Sequence, residues 1–254
     1  MVRSIAPHLA GRTIERAELY SHRVTRGGLA RTAKRLAGRV IQRVRRRGKQ
    51  IFVDLDAGVL YLHLGMTGKL LWNGATGKYT RAILELDKGR LVYDDIRQFG
   101  RVEYFDALPK TLERVGPDAL GITFEEFHVR LGRHRGPIKG VLLNQSFVAG
   151  VGNIYADEML FAAGIHPRAQ ARRISKKRAE QLHTNLGAIL EAAIQQRGSS
   201  ISDYVDGAGE RGSFQNMHAV YGRAGKPCLR CGAPIRRIVV AQRGTHYCAR
   251  CQRA

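Results

Sequence analysis

Hydrophobic and polar residues alternate along the first half of the chain and recur at helical intervals along its middle. Ile51, Val53 and Leu55 alternate with Phe52, Asp54 and Asp56, the period of a strand with one more buried face. Ala57-Gly58 turns the chain into Val59-Leu60-Tyr61-Leu62-His63-Leu64, and Asp87-Lys88-Gly89 predicts a second hairpin between 82–86 and 90–93. Ahead of these strands, Val2, Ile5, Ala6 and Leu9 have helical spacing, with no capping residue before them. In the middle, Leu182, Leu186, Ile189, Leu190, Ala193 and Ile194 recur every three or four residues. Ser175 is placed to cap that helix at its start and Gly198 suits its end. A further helix is predicted from Asn153 through Phe161, ended by Gly164 and Pro167. Strands first and helices afterwards give an α+β chain. Pro109, Gly116 and Pro117 mark a boundary near residues 108–118, and the last 30 or so residues read as a separate small unit.

Charge narrows the partners. The 254 residues include 43 basic and 21 acidic ones, a formal net charge of +22. Such an excess favours a polyanion, of which nucleic acid is the commonest. A lipid surface is the rival, but the basic residues are spread along the chain and do not form one face of an amphipathic helix. No apolar run approaches the roughly 20 residues of a membrane helix, and the first residues lack the apolar core of a signal peptide. A cytoplasmic, nucleoid-associated protein with no membrane partner is therefore expected.

All four cysteines lie in two C-x-x-C pairs near the end of the chain, Cys228-Leu229-Arg230-Cys231 and Cys248-Ala249-Arg250-Cys251. Each pair supplies two thiolates from one tight turn, and two such turns complete a tetrahedron around Zn²⁺. Gly232 suits a turn with positive φ. Residues 235–240 and 243–247 are predicted as a hairpin between the two knuckles. Arg243 falls at its proposed turn, Gln242-Arg243-Gly244, and projects toward a partner. Arg230, inside the first knuckle, is expected to add only diffuse charge.

Four further segments carry a family likeness. Val148-Ala149-Gly150-Val151-Gly152-Asn153-Ile154-Tyr155-Ala156-Asp157-Glu158 resembles the helix–two-turns–helix motif of the formamidopyrimidine-DNA glycosylases. His63-Leu64-Gly65-Met66-Thr67-Gly68 and Asp95-Ile96-Arg97-Gln98-Phe99-Gly100 resemble two of that family's loops, and Arg243-Gly244-Thr245-His246-Tyr247-Cys248 resembles its zinc-finger tip. The resemblance covers essentially the whole chain, with the motifs in order. It implies an N-terminal β-sandwich flanked by helices over 1–110, a helix–two-turns–helix DNA-binding domain over 111–222 and a zinc finger over 223–254. It also implies a monomer with one structural Zn²⁺ that acts on double-stranded DNA containing oxidised bases or abasic sites. Met66, Arg97 and Phe99 match the residues that fill the gap left by an extruded base, and Lys49 matches a lysine near the target phosphates. Asn153 sits at a helix N-terminus suited to phosphate, and Arg243 matches the finger arginine on the phosphate beside the lesion. Residues 211–217 lie where relatives have a mobile loop, and Gly207, Gly209 and Gly212 are expected to make it flexible.

The likeness departs at the start. Relatives begin Pro-Glu-Leu-Pro-Glu-Val-Glu, with the proline amine as nucleophile and the glutamate in proton transfer. Met1-Val2-Arg3-Ser4 aligns about nine residues into that pattern, roughly 30 Å of extended chain or roughly 14 Å of helix, so the Met1 amine is not expected to substitute. Lys49 is a conceivable accessory nucleophile. The expectation is a bifunctional glycosylase and abasic-site lyase for 8-oxoguanine and formamidopyrimidines whose start codon is misassigned. The alternatives are an endonuclease VIII-like enzyme for oxidised pyrimidines, a non-catalytic damaged-DNA-binding protein, and a zinc-ribbon RNA-binding protein that has no use for the wedge loops.

Overall fold

A computed structural model describes residues 1–201 and 204–253. The chain divides into two compact units that are not consecutive segments. One comprises Met1–Glu113 with Gln196–Ser213, the other Arg114–Gln195 with Phe214–Ala254.

The first unit runs α1 (Val2–Leu9), β1 (Ile14–Leu19), α2 (Leu29–Leu36), β2 (Ile41–Arg47), β3 (Gln50–Leu55), β4 (Val59–His63), β5 (Lys69–Trp72), β6 (Thr80–Leu86), β7 (Arg90–Asp94), β8 (Arg101–Phe105) and α3 (Lys110–Glu113). The strands form two antiparallel four-stranded sheets, in the orders β1-β6-β7-β5 and β2-β3-β4-β8. Inward residues of both sheets, among them Ile14, Leu84, Ile51 and Leu62, share one core with Ile5 and Leu9 of α1 and Leu36 of α2. That is the predicted sandwich flanked by helices. The hairpins turn at Ala57-Gly58 and Asp87-Lys88-Gly89 as their sequences predict. Phe52 departs from the alternating pattern. It lies on the more polar face of β3 yet is only 2% exposed. Tyr61 pairs with it across the register, ring centroids 5.7 Å apart, and the Arg45 guanidinium lies 4.6 Å over its ring. A central strand flanked by such neighbours buries both faces.

Within this unit the segment 204–213 is closely packed. The amide of Trp72 donates to the Gly207 carbonyl at 2.8 Å and the Gly207 amide to Ser4 Oγ at 2.9 Å. A Cβ on Gly207 would meet Ile5 at 2.4 Å, and one on Gly212 would meet the Gly198 carbonyl at 2.2 Å. These two glycines are needed for close approach, not for the flexibility expected of them. Only Gly209, at φ +84°, takes a conformation that favours glycine.

The second unit contains α4 (Phe124–Gly132), α5 (Ile138–Leu143), α6 (Asn153–Ala162), α7 (Lys176–Gln195), β9 (Ile235–Val240) and β10 (Arg243–Cys248), with 3-10 turns at Ala171–Arg173 and Phe214–Met217. Thr123 caps α4 by accepting from the Glu126 amide. Helix α6 is central, its residues from Ala156 to Phe161 all buried. It packs with Leu182, Leu186 and Leu190 of α7 in one core, and its Phe161 packs with Val220, Ile235 and two cysteines in a second. After α7 the left-handed turn begins at Arg197 (φ 56°) and continues at Gly198 (φ 91°), so the helix ends slightly before the glycine expected to end it. No described helix is long and apolar enough to cross a membrane.

Candidate nucleic-acid interface and metal centre

In the first unit the β4–β5 loop and the loop before β8 bring Met66, Arg97 and Phe99 into one cluster. Arg97 Nη1 lies 3.3 Å from Met66 Sδ, and its guanidinium carbon sits 4.7 Å over the Phe99 ring. Met66 is 61% exposed and Phe99 54%, so neither is a core residue. Buried Asp95, the first residue of the 95–100 loop motif, fixes both loops. Its Oδ1 accepts from the Thr67 hydroxyl at 2.5 Å and its Oδ2 from the Gly100 amide at 2.8 Å. The Tyr93 hydroxyl approaches the same Oδ2 at 3.4 Å. Burial, then the charge of Asp95, pushes the Tyr93 phenol well above its ordinary range. Thr67 in turn accepts from the Arg97 amide at 3.0 Å. Gly65 and Gly100 allow the loops to meet: a Cβ on Gly65 would lie 2.7 Å from the Phe99 backbone, and one on Gly100 1.7 Å from the Tyr93 hydroxyl.

Lys49 is exposed in the two-residue turn between β2 and β3, beside a strand that carries Arg43, Arg45, Arg46 and Arg47. The register sets His63 opposite Gln50 on one side and Arg101 on the other. His63 is therefore half-buried among cations. Burial first, then the charges of Lys49 and Arg101, lower its pKa. In the sequence His63 stands out only as the first residue of a loop motif. Its strand-end position opposite the residue next to Lys49 is the signal that pairs it with the basic turn.

In the second unit Gly152 is the N-cap of α6 and Asn153 the first helical residue. A glycine offers the first-turn amides no side-chain cap, an arrangement that favours an anion. Asn153 Nδ2 donates to the Gly244 carbonyl at 3.1 Å, which ties the helix start to the finger hairpin. The hairpin turn itself is Ala241-Gln242, with φ 49° and 59°, one step earlier than the sequence placed it. Exposed Arg243 is the first residue of β10 and pairs with Val240. Arg230 does more than supply diffuse charge. Its guanidinium donates to the Phe161 and Ala162 carbonyls at 3.0 and 3.3 Å and lies 4.4 Å over the Phe161 ring. It binds the end of α6, as cations do at helix C-termini.

The Sγ atoms of Cys228, Cys231, Cys248 and Cys251 lie within 4.8 Å of one another. Cys228 and Cys251 are 3.9 Å apart, Cys231 and Cys248 3.5 Å. A tetrahedron with Zn–S arms of about 2.3 Å has edges of about 3.8 Å, so the four sulfurs fit a zinc ion. The Arg230 and Cys251 amides approach Cys228 Sγ and Cys248 Sγ at 3.4 and 3.5 Å, as amides do around metal-bound thiolates. Gly232 takes φ +72° in the first knuckle, as its sequence position suggests.

Three family profiles match the chain. "Formamidopyrimidine-DNA glycosylase N-terminal domain" matches residues 1–102, "Formamidopyrimidine-DNA glycosylase H2TH domain" residues 115–205, and "Zinc finger found in FPG and IleRS" residues 225–254. A formamidopyrimidine-DNA glycosylase of Solibacter usitatus is 51% identical over 255 aligned positions, covering 100% of this chain and 96% of that protein. A crystal structure of a Lactococcus lactis FPG mutant in complex with Fapy-dG containing DNA superimposes with TM-score 0.91 at 35% identity, over 99% of this chain and 96% of that one. The L. lactis protein in complex with an abasic site containing DNA gives the same values.

Proposed function

The chain belongs to the formamidopyrimidine-DNA glycosylase family, and from that premise we propose that it serves base-excision repair as a DNA glycosylase with abasic-site lyase activity on oxidised purines in duplex DNA. The observation that carries this reading is the exposed Met66–Arg97–Phe99 cluster on loops tied to the sandwich through Asp95. A base must leave the stack before its glycosidic bond is accessible, at a cost of a few kcal/mol. Apolar wedges offset that cost by filling the gap, and an arginine beside them offers donors to the base left without a partner. The presence of all three residues favours oxidised purines over the pyrimidine specificity of an endonuclease VIII-like enzyme.

Phosphates have partners in each unit. Lys49 and His63 are proposed to hold the backbone in the first, Asn153 and Arg243 in the second. One structural zinc ion, held by Cys228, Cys231, Cys248 and Cys251, keeps the hairpin that carries Arg243 folded. The protein is proposed to act as a monomer in the cytoplasm, on the nucleoid. The resemblance assigns bond breaking to a Pro-Glu pair, which does not occur among residues 1–254. Lys49 remains the candidate accessory amine.

The test is binding to duplex DNA with and without an abasic-site analogue at physiological salt. The chain should prefer the abasic duplex, and its affinity should fall steeply with salt as counterions are released. Met66→Ala with Phe99→Ala should abolish the preference while leaving binding to undamaged duplex in place. Equal affinity of the unaltered protein for the two duplexes refutes lesion recognition.

A further inference from the structure

Among the described residues, Lys139 is the only buried lysine or arginine of this strongly basic chain, with an exposure of 0%. It is the second residue of α5, and its ammonium has three partners. Asp157 Oδ1 lies 2.6 Å away, the Gly244 carbonyl 3.0 Å and Thr245 Oγ1 2.8 Å. The Gly244 carbonyl and Thr245 Oγ1 accept hydrogen bonds from the ammonium, and Asp157 supplies the opposite charge as its ion-pair partner. Asp157, also 0% exposed, extends the network, its Oδ2 accepting from the His246 amide at 2.8 Å with His246 Nδ1 at 3.4 Å. It stands one helical turn after Asn153 on α6, so both side chains lie on the same helix face. The Gly244 carbonyl thus receives Asn153 and Lys139 together. Residues 244–246, which directly follow Arg243, are all held through this network.

The anchoring has an evident object. The hairpin turn places Ala241 and Gln242 in the left-handed region, where neither has the freedom of glycine, and such a conformation persists only when its surroundings over-determine it. Stability alone does not explain the charges, because an apolar pair of similar volume is often as stable as a buried ion pair. Burial itself lowers the pKa of Lys139, against Asp157, which raises it, while the charge of Arg243 adds to the lowering. The Thr245 hydroxyl, which accepts from Lys139, donates in turn to the Arg243 carbonyl at 2.9 Å, so the network reaches Arg243 itself.

We propose that Lys139 and Asp157 are positioning residues, a buried charge latch that fixes the backbone of residues 244–246 and so sets where Arg243 meets a DNA phosphate. The proposal rests on the reading of Arg243 as a phosphate contact. It assigns neither residue a contact with DNA.

The test is a double-mutant cycle read as affinity for abasic-analogue duplex, with zinc content measured on each variant. Arg243→Ala tests the underlying reading, and no loss of affinity in it overturns that reading and the latch together. Lys139→Met keeps the length of the side chain and removes its charge. It should weaken binding about tenfold, the scale of one charge-assisted bond, with one zinc per chain retained. In the Arg243→Ala background the same change should cost less than about threefold, because a latch that acts through Arg243 has nothing left to position. Equal losses in the two backgrounds, or no loss from Lys139→Met alone, overturn the latch and leave the Arg243 reading standing. Should Lys139→Met lose its zinc, Asp157→Asn, which retains an acceptor for the His246 amide, takes its place in the cycle under the same criteria.

Discussion

Replacing Asp95 with alanine should loosen both wedge loops at once. The carboxylate receives two short hydrogen bonds, from the Thr67 hydroxyl at 2.5 Å and the Gly100 amide at 2.8 Å, and a longer one from Tyr93 at 3.4 Å. Hydrogen bonds to a charged group contribute about 1.5–3 kcal/mol each, so losing the two short ones should cost about 3–6 kcal/mol of unfolding free energy. Asp95→Asn should cost less, about 1–2 kcal/mol, because the amide oxygen can still accept from Gly100 while Thr67 loses its charged acceptor. The single tryptophan of the chain, Trp72, lies in β5 and stacks on His8 at 4.9 Å. Its fluorescence during urea titration therefore reports on the first unit alone. Under conditions where Asp95→Ala is still folded, its preference for abasic over undamaged duplex should also fall, since the Arg97 amide is held through Thr67. A destabilisation below about 1 kcal/mol, or an unchanged preference, would refute the idea that Asp95 holds the wedge.

Four other outcomes are expected. Arg243→Ala should weaken abasic-duplex binding about ten- to a hundredfold, whereas Arg250→Ala, an exposed arginine in the second knuckle, should change it little. Arg230→Ala should instead lower the melting temperature and zinc retention, because it removes the bonds to Phe161 and Ala162; an unchanged melting temperature would count against that role. Zinc should be present at one ion per chain and chelation should abolish DNA binding, since structural zinc contributes roughly 10–16 kcal/mol of apparent binding energy in finger peptides. A metal-free protein with full affinity would contradict this. His63, whose pKa is lowered, should bind a proton when phosphate approaches, so affinity should rise as pH falls through the ordinary histidine range near 6.5. Over that same range the folded protein should lose stability, because the unfolded chain takes up the proton more readily. Titrations of His63→Asn, in which both trends should flatten, check this.

Much of the fold is legible because the relevant patterns are local. The spacing of Val2, Ile5 and Leu9, the Asp87-Lys88-Gly89 turn and the two cysteine pairs each specify an element through contacts a few residues apart. What escaped the sequence depends on partners far along the chain. Lys139 looks like any solvated lysine until Asp157 and Gly244 surround it. Arg230 looks like surface charge until the end of α6 arrives beneath it. Phe52 looks like a strand's outer face until Tyr61 and Arg45 cover it. Gly207 and Gly212 read as flexible because composition cannot distinguish a glycine that bends from one that makes room. Within the candidate site, Met66, Arg97 and Phe99 were found through their loop motifs. Asp95, which makes one rigid surface of them, has no periodicity to reveal it.

The central claim, a glycosylase and lyase for oxidised purines, is tested most directly by borohydride trapping on duplex DNA containing 8-oxoguanine. Two polypeptides are compared, the chain as it stands and the chain with Pro-Glu-Leu-Pro-Glu-Val-Glu-Thr joined ahead of Met1 and its initiator removed. The extended polypeptide should release the damaged base, cleave the strand and yield a covalent adduct with DNA, and the unextended one should bind abasic duplex without forming an adduct. An extended polypeptide that folds, retains zinc and binds abasic duplex, yet gives neither adduct nor cleavage, would contradict the account. An adduct from the unextended chain would move the chemistry to Lys49 or the Met1 amine.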